Sequence, residues 1–199
     1  GVFAEYGFKE YLVNMSGDMS DEDVASYWDN FSAQHLPHFH LSPLEQVSTY
    51  VAPVWDAIVD SAVCAEDDLQ RQIAAIQPDM ICIDNVILFP AIKKAGCPWV
   101  RIISCSENEI TDPKVPPHLS GCSQGDYAGY EAFQKEFEKC VEDSHNRFND
   151  FLASLDEAPY PLGEFFEASP VMNFRLYPKP LAFEREHALS PAQYQYLEG

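Results

Sequence analysis

Polar side chains follow two short apolar runs, at positions where they could do chemistry. The run at 80–83 ends at Asp84 and Asn85, and the run at 99–103 ends at Ser104-Cys105-Ser106. Open α/β sheets bind their ligands at the carboxyl ends of the strands, so neighbouring strands would bring these side chains to one edge. A carboxylate there could serve acid–base chemistry. Alternatively, Asp84 or Asn85 could simply cap the helix that follows.

The residues between the two runs predict a short crossover helix. Residues 87–95 are followed by Gly96, with Lys93 and Lys94 in the last turn, and these are typical signals of a helix end. A strand, a helix and a strand in so few residues indicate a parallel β-α-β unit. Both runs are nearly continuously apolar, as strands covered on both faces must be. We therefore predict an α/β fold with a parallel sheet flanked by helices.

Apolar periodicity predicts further elements around this unit. In chain order these are a helix over 21–35 with Ser20 as its N-cap, a helix from Ser42-Pro43 to about Val59 that bends near Pro53, a helix over 66–76, a long helix over 126–155, a short helix or turn over 163–168, and a strand over 171–177. The segment 178–199 shows no strong element. We expect it to be a tail or the start of an interdomain linker.

The composition is globular but strongly acidic. The chain has 199 residues, with 12 Lys and Arg against 32 Asp and Glu, which gives a formal net charge of −20. Such a surface repels phosphate backbones and anionic membranes, so we expect neither nucleic acid nor membrane as a partner. The sequence contains neither an apolar run of transmembrane length, roughly 18 residues or more, nor a signal peptide, and a cytoplasmic location is expected.

Two groups of residues invite a metal or disulfide hypothesis. His35, His38 and His40 are close together, but Pro37 interrupts a helix and no carboxylate or cysteine lies at ligand spacing, so we expect no metal site. The six cysteines are widely spread, and a chain of this length is large enough to fold without disulfide bonds, so we expect no disulfide framework. Cys82 and Cys105 are predicted to be buried as small apolar side chains.

Six segments together resemble one family. They are PDMICIDN at 78–85, FPA at 89–91, GCPWV at 96–100, ISC at 103–105, VPPHLSG at 115–121 and SPVMNFRLYP at 169–178. In order and spacing they are similar to the acceptor-side half of the soluble, UDP-sugar-dependent family 1 glycosyltransferases. The resemblance runs from about residue 1 to residue 180.

The resemblance implies a fold, a reaction and a set of site residues. Members have two Rossmann-like domains of the GT-B type and transfer sugar from a UDP-sugar to an acceptor hydroxyl with inversion. Asp84 matches the aspartate that supports a catalytic histidine. No metal or other cofactor is implied, and the acceptor is expected to be a small lipophilic alcohol or phenol. The expected acceptor-rim residues are Asn85, Phe89, Ser106, Asn108 and His118.

The chain also departs from this family. The Gly-rich loop with the catalytic histidine and the nucleotide-binding domain are both absent, so we expect residues 1–180 to be an acceptor-binding domain without its first strand, and 181–199 its tail. On this interpretation the parent protein is an enzyme and the chain alone is inactive. The alternative is a non-catalytic ligand-binding or interaction module, or one chain of a split enzyme. Exposed sheet edges would favour a homodimer or a complementing chain.

Overall fold

The protein is an α/β structure built on a four-stranded parallel sheet. A computed structural model describes residues 2–197. The strands lie in the order β1-β2-β3-β4 and all pair in parallel. Their bounds are Ile81–Asp84, Trp99–Ile103, Asn173–Arg175 and Tyr194–Tyr196. Helices flank the sheet, so the predicted α/β class with a parallel sheet flanked by helices is confirmed, and the structure is compatible with a Rossmann-like fold.

Five α-helices lie within the described residues, together with shorter helical turns. Their bounds are α1 Asp21–His35, α2 Pro43–Gln46, α3 Ala52–Ile76, α4 Pro90–Lys93 and α5 Tyr127–Ser154. The predicted bounds of α1 and β2 are confirmed, and α5 differs by one residue at each end. None of the helices between residues 2 and 197 combines the length and the apolar character that a membrane crossing requires.

Side-chain caps explain where these helices begin. The Ser20 side chain accepts the backbone N–H of Asp23, as predicted for the cap of α1. Ser42 and Glu45 form a reciprocal capping box at α2, with Pro43 at the first helical position. These contacts satisfy backbone donors that the first turn of a helix cannot satisfy itself.

Three predicted helices differ from the observed ones. The helix expected over 66–76 is continuous with the second half of the helix expected from Ser42-Pro43 to about Val59, and together they form α3. The helix expected over 87–95 is confined to α4, because the Asn85 side chain accepts the N–H groups of Val86 and Ile87 and holds a turn there. The bend expected near Pro53 is instead a π-helical turn at Val47–Val51. Pro53 lies in the first turn of α3, where its missing N–H costs little.

Other expectations hold only in part or were wrong. The segment expected as a short helix or turn over 163–168 begins with a turn, where the Glu164 N–H bonds to the Pro161 carbonyl, and residues 164–168 are irregular. The segment after residue 178, expected to lack regular structure, contributes β4, because Tyr194–Tyr196 pairs with β3. Cys82 and Cys105 are exposed, not buried: β1 is an edge strand that turns Ile83 inward and Cys82 outward, and Cys105 lies beyond the end of β2. All six cysteines are free thiols.

The core lies where α3 and α5 pack together and against β1 and β2. Its buried side chains include Val59 and Ala62 of α3, Val141 and Phe148 of α5, and Ile83 of β1. The two helices also present an apolar stripe toward the irregular segment that precedes β3. This arrangement carries the aromatic side chains that line the site described next.

Candidate functional site

The predicted catalytic residue Asp84 lies at the carboxyl end of β1 and is exposed. Its Oδ1 accepts a hydrogen bond from the Ser104 hydroxyl at 2.6 Å. Ser104 follows β2, so the two side chains meet at the edge of the sheet, as the sequence predicted. Within residues 2–197 this is the one hydrogen bond that the Asp84 carboxylate makes, and no described histidine bonds to it.

Two of the predicted rim residues serve the fold. Asn85 holds the turn after β1 through its own side chain. Phe89 is 5% exposed and belongs to the hydrophobic core. Neither side chain lines one of the three cavities described below. The structure therefore does not bring these two residues together with the other rim residues.

The other three predicted rim residues do meet. Ser106, Asn108 and His118 line a cavity of about 480 Å³, which we call the loop cavity. Ser106 caps the short helical turn at Glu107–Glu109 and donates its hydroxyl hydrogen to Asn108 Oδ1 at 2.7 Å. Asn108 in turn donates a side-chain hydrogen bond to the Pro116 carbonyl at 2.8 Å. These bonds hold the loop after β2 against the loop that carries His118.

A second cavity of about 380 Å³ adjoins the loop cavity through Asn108, Pro117 and His118. We call it the aromatic cavity, because five aromatic side chains besides His118 line it. These are Trp55, Phe133, Phe137, Phe165 and Phe166. They come from α3, α5 and the irregular segment before β3. A volume of this size is within the range of small-molecule sites, roughly 300–1,000 Å³.

Aromatic stacking fixes the walls of this cavity. Trp55 and Phe165 stack with ring centroids 4.0 Å apart and planes at 14°. Phe133 and Phe137 are nearly parallel at 6.2 Å. Gly163, which also lines the cavity, has a φ of +83°, and the turn of the incoming segment favours glycine for that reason. The wall is therefore held by packing.

A buried ion pair forms the polar part of the lining. Arg101 Nη2 lies 2.7 Å from Glu109 Oε2, and the two side chains are 6% and 7% exposed. The Arg101 guanidinium also lies over the Phe166 ring, 4.1 Å from its centroid. Burial lowers the pKa of Arg101 against the attraction of Glu109. Burial likewise raises the pKa of Glu109, although Arg101 opposes that shift, and the charge of Asp84 adds to it.

His118 lies at the centre of this region. It lines the aromatic cavity, the loop cavity and a third cavity beside α3. Its Nδ1 is sealed from solvent without a hydrogen-bond partner, and the ring forms no hydrogen bond within the described residues. Burial and the positive charge of Arg101 lower the pKa of His118, so the imidazole is neutral at pH 7.

The ion pair and the aromatic wall were not predicted as site residues. Arg101 interrupts an otherwise apolar strand, and a charge inside a buried strand is a signal that such a residue needs a partner. The sequence places Trp55, Phe133 and Phe137 on helix faces, and Phe165 and Phe166 in the short helix or turn over 163–168. Nothing in their spacing indicates that Phe133 of α5 and Trp55 of α3 face a common space.

The histidine cluster has a structural explanation. His35 Nδ1 and His38 Nδ1 lie 2.7 Å and 3.1 Å from the same carbonyl oxygen, that of Thr49. A carbonyl only accepts, so both nitrogens carry hydrogen and donate to it. Across residues 2–197, no group of three or more His, Cys, Asp or Glu side chains is arranged to hold a metal ion.

Comparison with models of known protein families finds no match to this chain. Comparison with characterised protein sequences finds none either.

Proposed function

We propose that this chain binds a small lipophilic alcohol or phenol, as the acceptor-binding part of an inverting UDP-sugar glycosyltransferase. The observation that carries the proposal is the aromatic cavity beside the carboxyl ends of the strands. Asp84 occupies the neighbouring strand end, which is where open α/β sheets place reactive groups. The sequence resemblance described above supports the same assignment.

The lining of the aromatic cavity suits a neutral ligand. Its five aromatic rings offer apolar surface, and the charges of Arg101 and Glu109 compensate each other. Two further carboxylates, Glu138 and Glu164, also line it, and they disfavour an anion. A phenol or an alcohol satisfies both conditions, because it carries one polar group on an apolar body.

The proposed reaction assigns a supporting role to Asp84. The acceptor oxygen bonds to the anomeric carbon of the sugar while the bond from that carbon to UDP breaks and its electron pair leaves with UDP. The acceptor proton passes to a histidine base, which the resemblance implies and which Asp84 would orient as in a catalytic triad. Asp84 is exposed and has one partner, Ser104, so it is available for such a contact.

A second candidate is a non-catalytic ligand-binding module. It is favoured by one observation: within residues 2–197 the Asp84 carboxylate bonds to Ser104 and to no histidine. Such a module would need the aromatic cavity but not the Asp84 carboxylate. The two candidates therefore make opposite predictions for a substitution at Asp84.

The test is UDP-sugar transfer by the full protein that carries this chain. Asp84→Asn keeps the size of the side chain and removes the charge, and Asp79→Asn is the matched control because Asp79 is exposed and lies just before the same strand. We expect Asp84→Asn to lower kcat by about a hundredfold or more, with KM for the acceptor little changed. Asp79→Asn should behave as wild type.

Two results would count against the enzyme. Equal kcat values for Asp84→Asn and Asp79→Asn would remove Asp84 from the mechanism. Absence of any transfer by a protein that binds lipophilic alcohols would favour the binding module instead.

A further inference from the structure

A third cavity lies directly beside the aromatic cavity. It measures about 240 Å³ and runs along α3, and we call it the helix cavity. Most of its lining is apolar, including Val54 and Ile58 of α3 and Val51 of the π-helical turn before it, and it contains no charged side chain. Gln46 and Tyr50 add polar groups at α2 and the π-helical turn.

The aromatic cavity and the helix cavity are separated by a thin wall. Three residues, Trp55, Val86 and His118, line both. A side chain that borders two cavities can be reached from both sides, so these residues are what divides one space from the other. Trp55 is anchored by its stack on Phe165, and Val86 lies in the turn held by Asn85.

His118 is the polar member of this wall. Its ring makes no hydrogen bond within the described residues, and Nδ1 is sealed from solvent. Nε2 is therefore the ring nitrogen that a ligand can reach. A ligand hydroxyl at Nε2 replaces the contact that this nitrogen makes with solvent, so the hydrogen bond positions the ligand while the rest of the ring stays buried.

We propose that the aromatic cavity and the helix cavity form one divided site. It binds a neutral alcohol in which two apolar arms are attached to the carbon atom that bears the hydroxyl group. The hydroxyl lies at His118, and one arm enters each cavity. This inference rests on the proposed function and names the class of acceptor. His118 acts as a specificity-determining residue.

The chemistry of the dividing wall suits a hydroxyl group. A hydroxyl both donates and accepts hydrogen bonds, so it pairs with Nε2 in either neutral tautomer of the imidazole. A charged group at the same point would lose its hydration in a space lined mostly by apolar side chains. The helix cavity has no charged side chain to compensate such a loss.

The probes are dibenzylcarbinol, in which two benzyl groups flank one hydroxyl, and phenethyl alcohol, which has one arm. Isothermal titration of the wild-type protein should give an affinity for dibenzylcarbinol at least about tenfold higher, because the second ring is buried as well. Ile58→Phe fills the helix cavity without touching the aromatic cavity. Val63→Phe is the control, since Val63 lies on the same helix but is exposed and lines neither cavity.

Ile58→Phe should lower the affinity for dibenzylcarbinol by at least about tenfold, to that of phenethyl alcohol, and leave the affinity for phenethyl alcohol unchanged. Unchanged phenethyl alcohol binding also shows that the variant is folded; if Ile58→Phe does not fold, Val54→Phe fills the same cavity. Val63→Phe should retain both affinities. His118→Leu keeps the bulk of the wall and should weaken both probes, because each loses its hydrogen-bond partner.

The outcomes separate this inference from the proposed function. If dibenzylcarbinol keeps its advantage in Ile58→Phe and Val54→Phe, the divided site is wrong, while binding in the aromatic cavity still supports the proposed function. If His118→Leu leaves both affinities unchanged, His118 does not position the hydroxyl. If neither probe binds the wild-type protein, both proposals are overturned.

Discussion

Two polar pairs lie near the same edge of the sheet, and they differ in exposure. Asp84 and Ser104 meet in solvent at the ends of β1 and β2, whereas Arg101 and Glu109 meet in the interior beside the aromatic cavity. Exposed pairs contribute little to stability, but a buried charge without its partner is costly. A substitution at the first pair therefore reports on function, and one at the second pair reports mainly on folding.

The largest expected effect is at the buried pair. Arg101→Met leaves Glu109 in the interior without its cationic partner, with the Ser106 N–H as its remaining donor, and we expect it to lower the free energy of unfolding by about 3–5 kcal/mol. The double variant Arg101→Met/Glu109→Leu should recover part of that loss, since burial outweighs attraction for both partners, while the Ser106 N–H loses its acceptor. Urea unfolding of the two variants at pH 7 checks this. Equal losses in both would contradict the account of the pair.

An intermediate effect is expected at Asp112, whose carboxylate accepts the backbone N–H groups of Lys114, Glu186 and His187. Burial acts to raise the pKa of Asp112, but these N–H groups outweigh it and lower the pKa to about 2. Asp112→Asn should lower the free energy of unfolding by about 1 kcal/mol at pH 6, because it removes the charge to which these N–H groups donate. The effect is modest since the carboxylate is partly exposed to solvent.

The pH dependence at Asp112 has a definite sign. A carboxylate whose pKa is depressed in the folded state stabilises the protein above its unfolded value near 3.8 and loses that effect as the pH falls to about 2. The stability gap between wild type and Asp112→Asn should therefore close over this window in urea titrations. The measurements would run from about pH 5 to about pH 2, which covers the range in which carboxylates usually titrate. If the difference in stability between wild type and Asp112→Asn stays constant over that range, the carboxylate does not hold the 186–187 segment.

The smallest effect is expected at the exposed pair. Ser104→Ala removes the hydroxyl that donates to Asp84, and we expect a change in unfolding free energy within about 0.5 kcal/mol. The same urea assay measures it. A loss comparable to that of Arg101→Met would end the distinction between the two pairs.

The features that the sequence could predict are those set by residues close together in the chain. The ends of β1 and β2 follow from local apolar runs and the residues that stop them, so the meeting of Asp84 and Ser104 was predictable. The caps of α1 and α2 are local as well. The sequence offered Asn85 as a possible cap of the following helix, but Phe89 occupies the N-cap position of α4, and Asn85 instead holds a turn that shortens the helix.

The remaining features depend on contacts between distant parts of the chain. β4 is three residues long and is defined by pairing with β3, which no local pattern indicates. Cys82 was misplaced because exposure of an edge strand depends on the order of the strands. The aromatic cavity combines α3, α5 and the segment before β3, and its walls are brought together only by the tertiary fold.

The central claim is that the aromatic cavity binds a neutral lipophilic alcohol, and the three tryptophans allow it to be tested directly. Trp55 lines the cavity, Trp28 is 48% exposed on α1, and Trp99 is buried in β2. Phenethyl alcohol would be titrated into the protein while the three indole N–H signals are followed by heteronuclear NMR, with Trp28→Phe to assign the exposed one. The account predicts a saturable shift of the Trp55 signal and none at Trp28. A shift at Trp28 with Trp55 unchanged would place the ligand on exposed apolar surface and contradict the account.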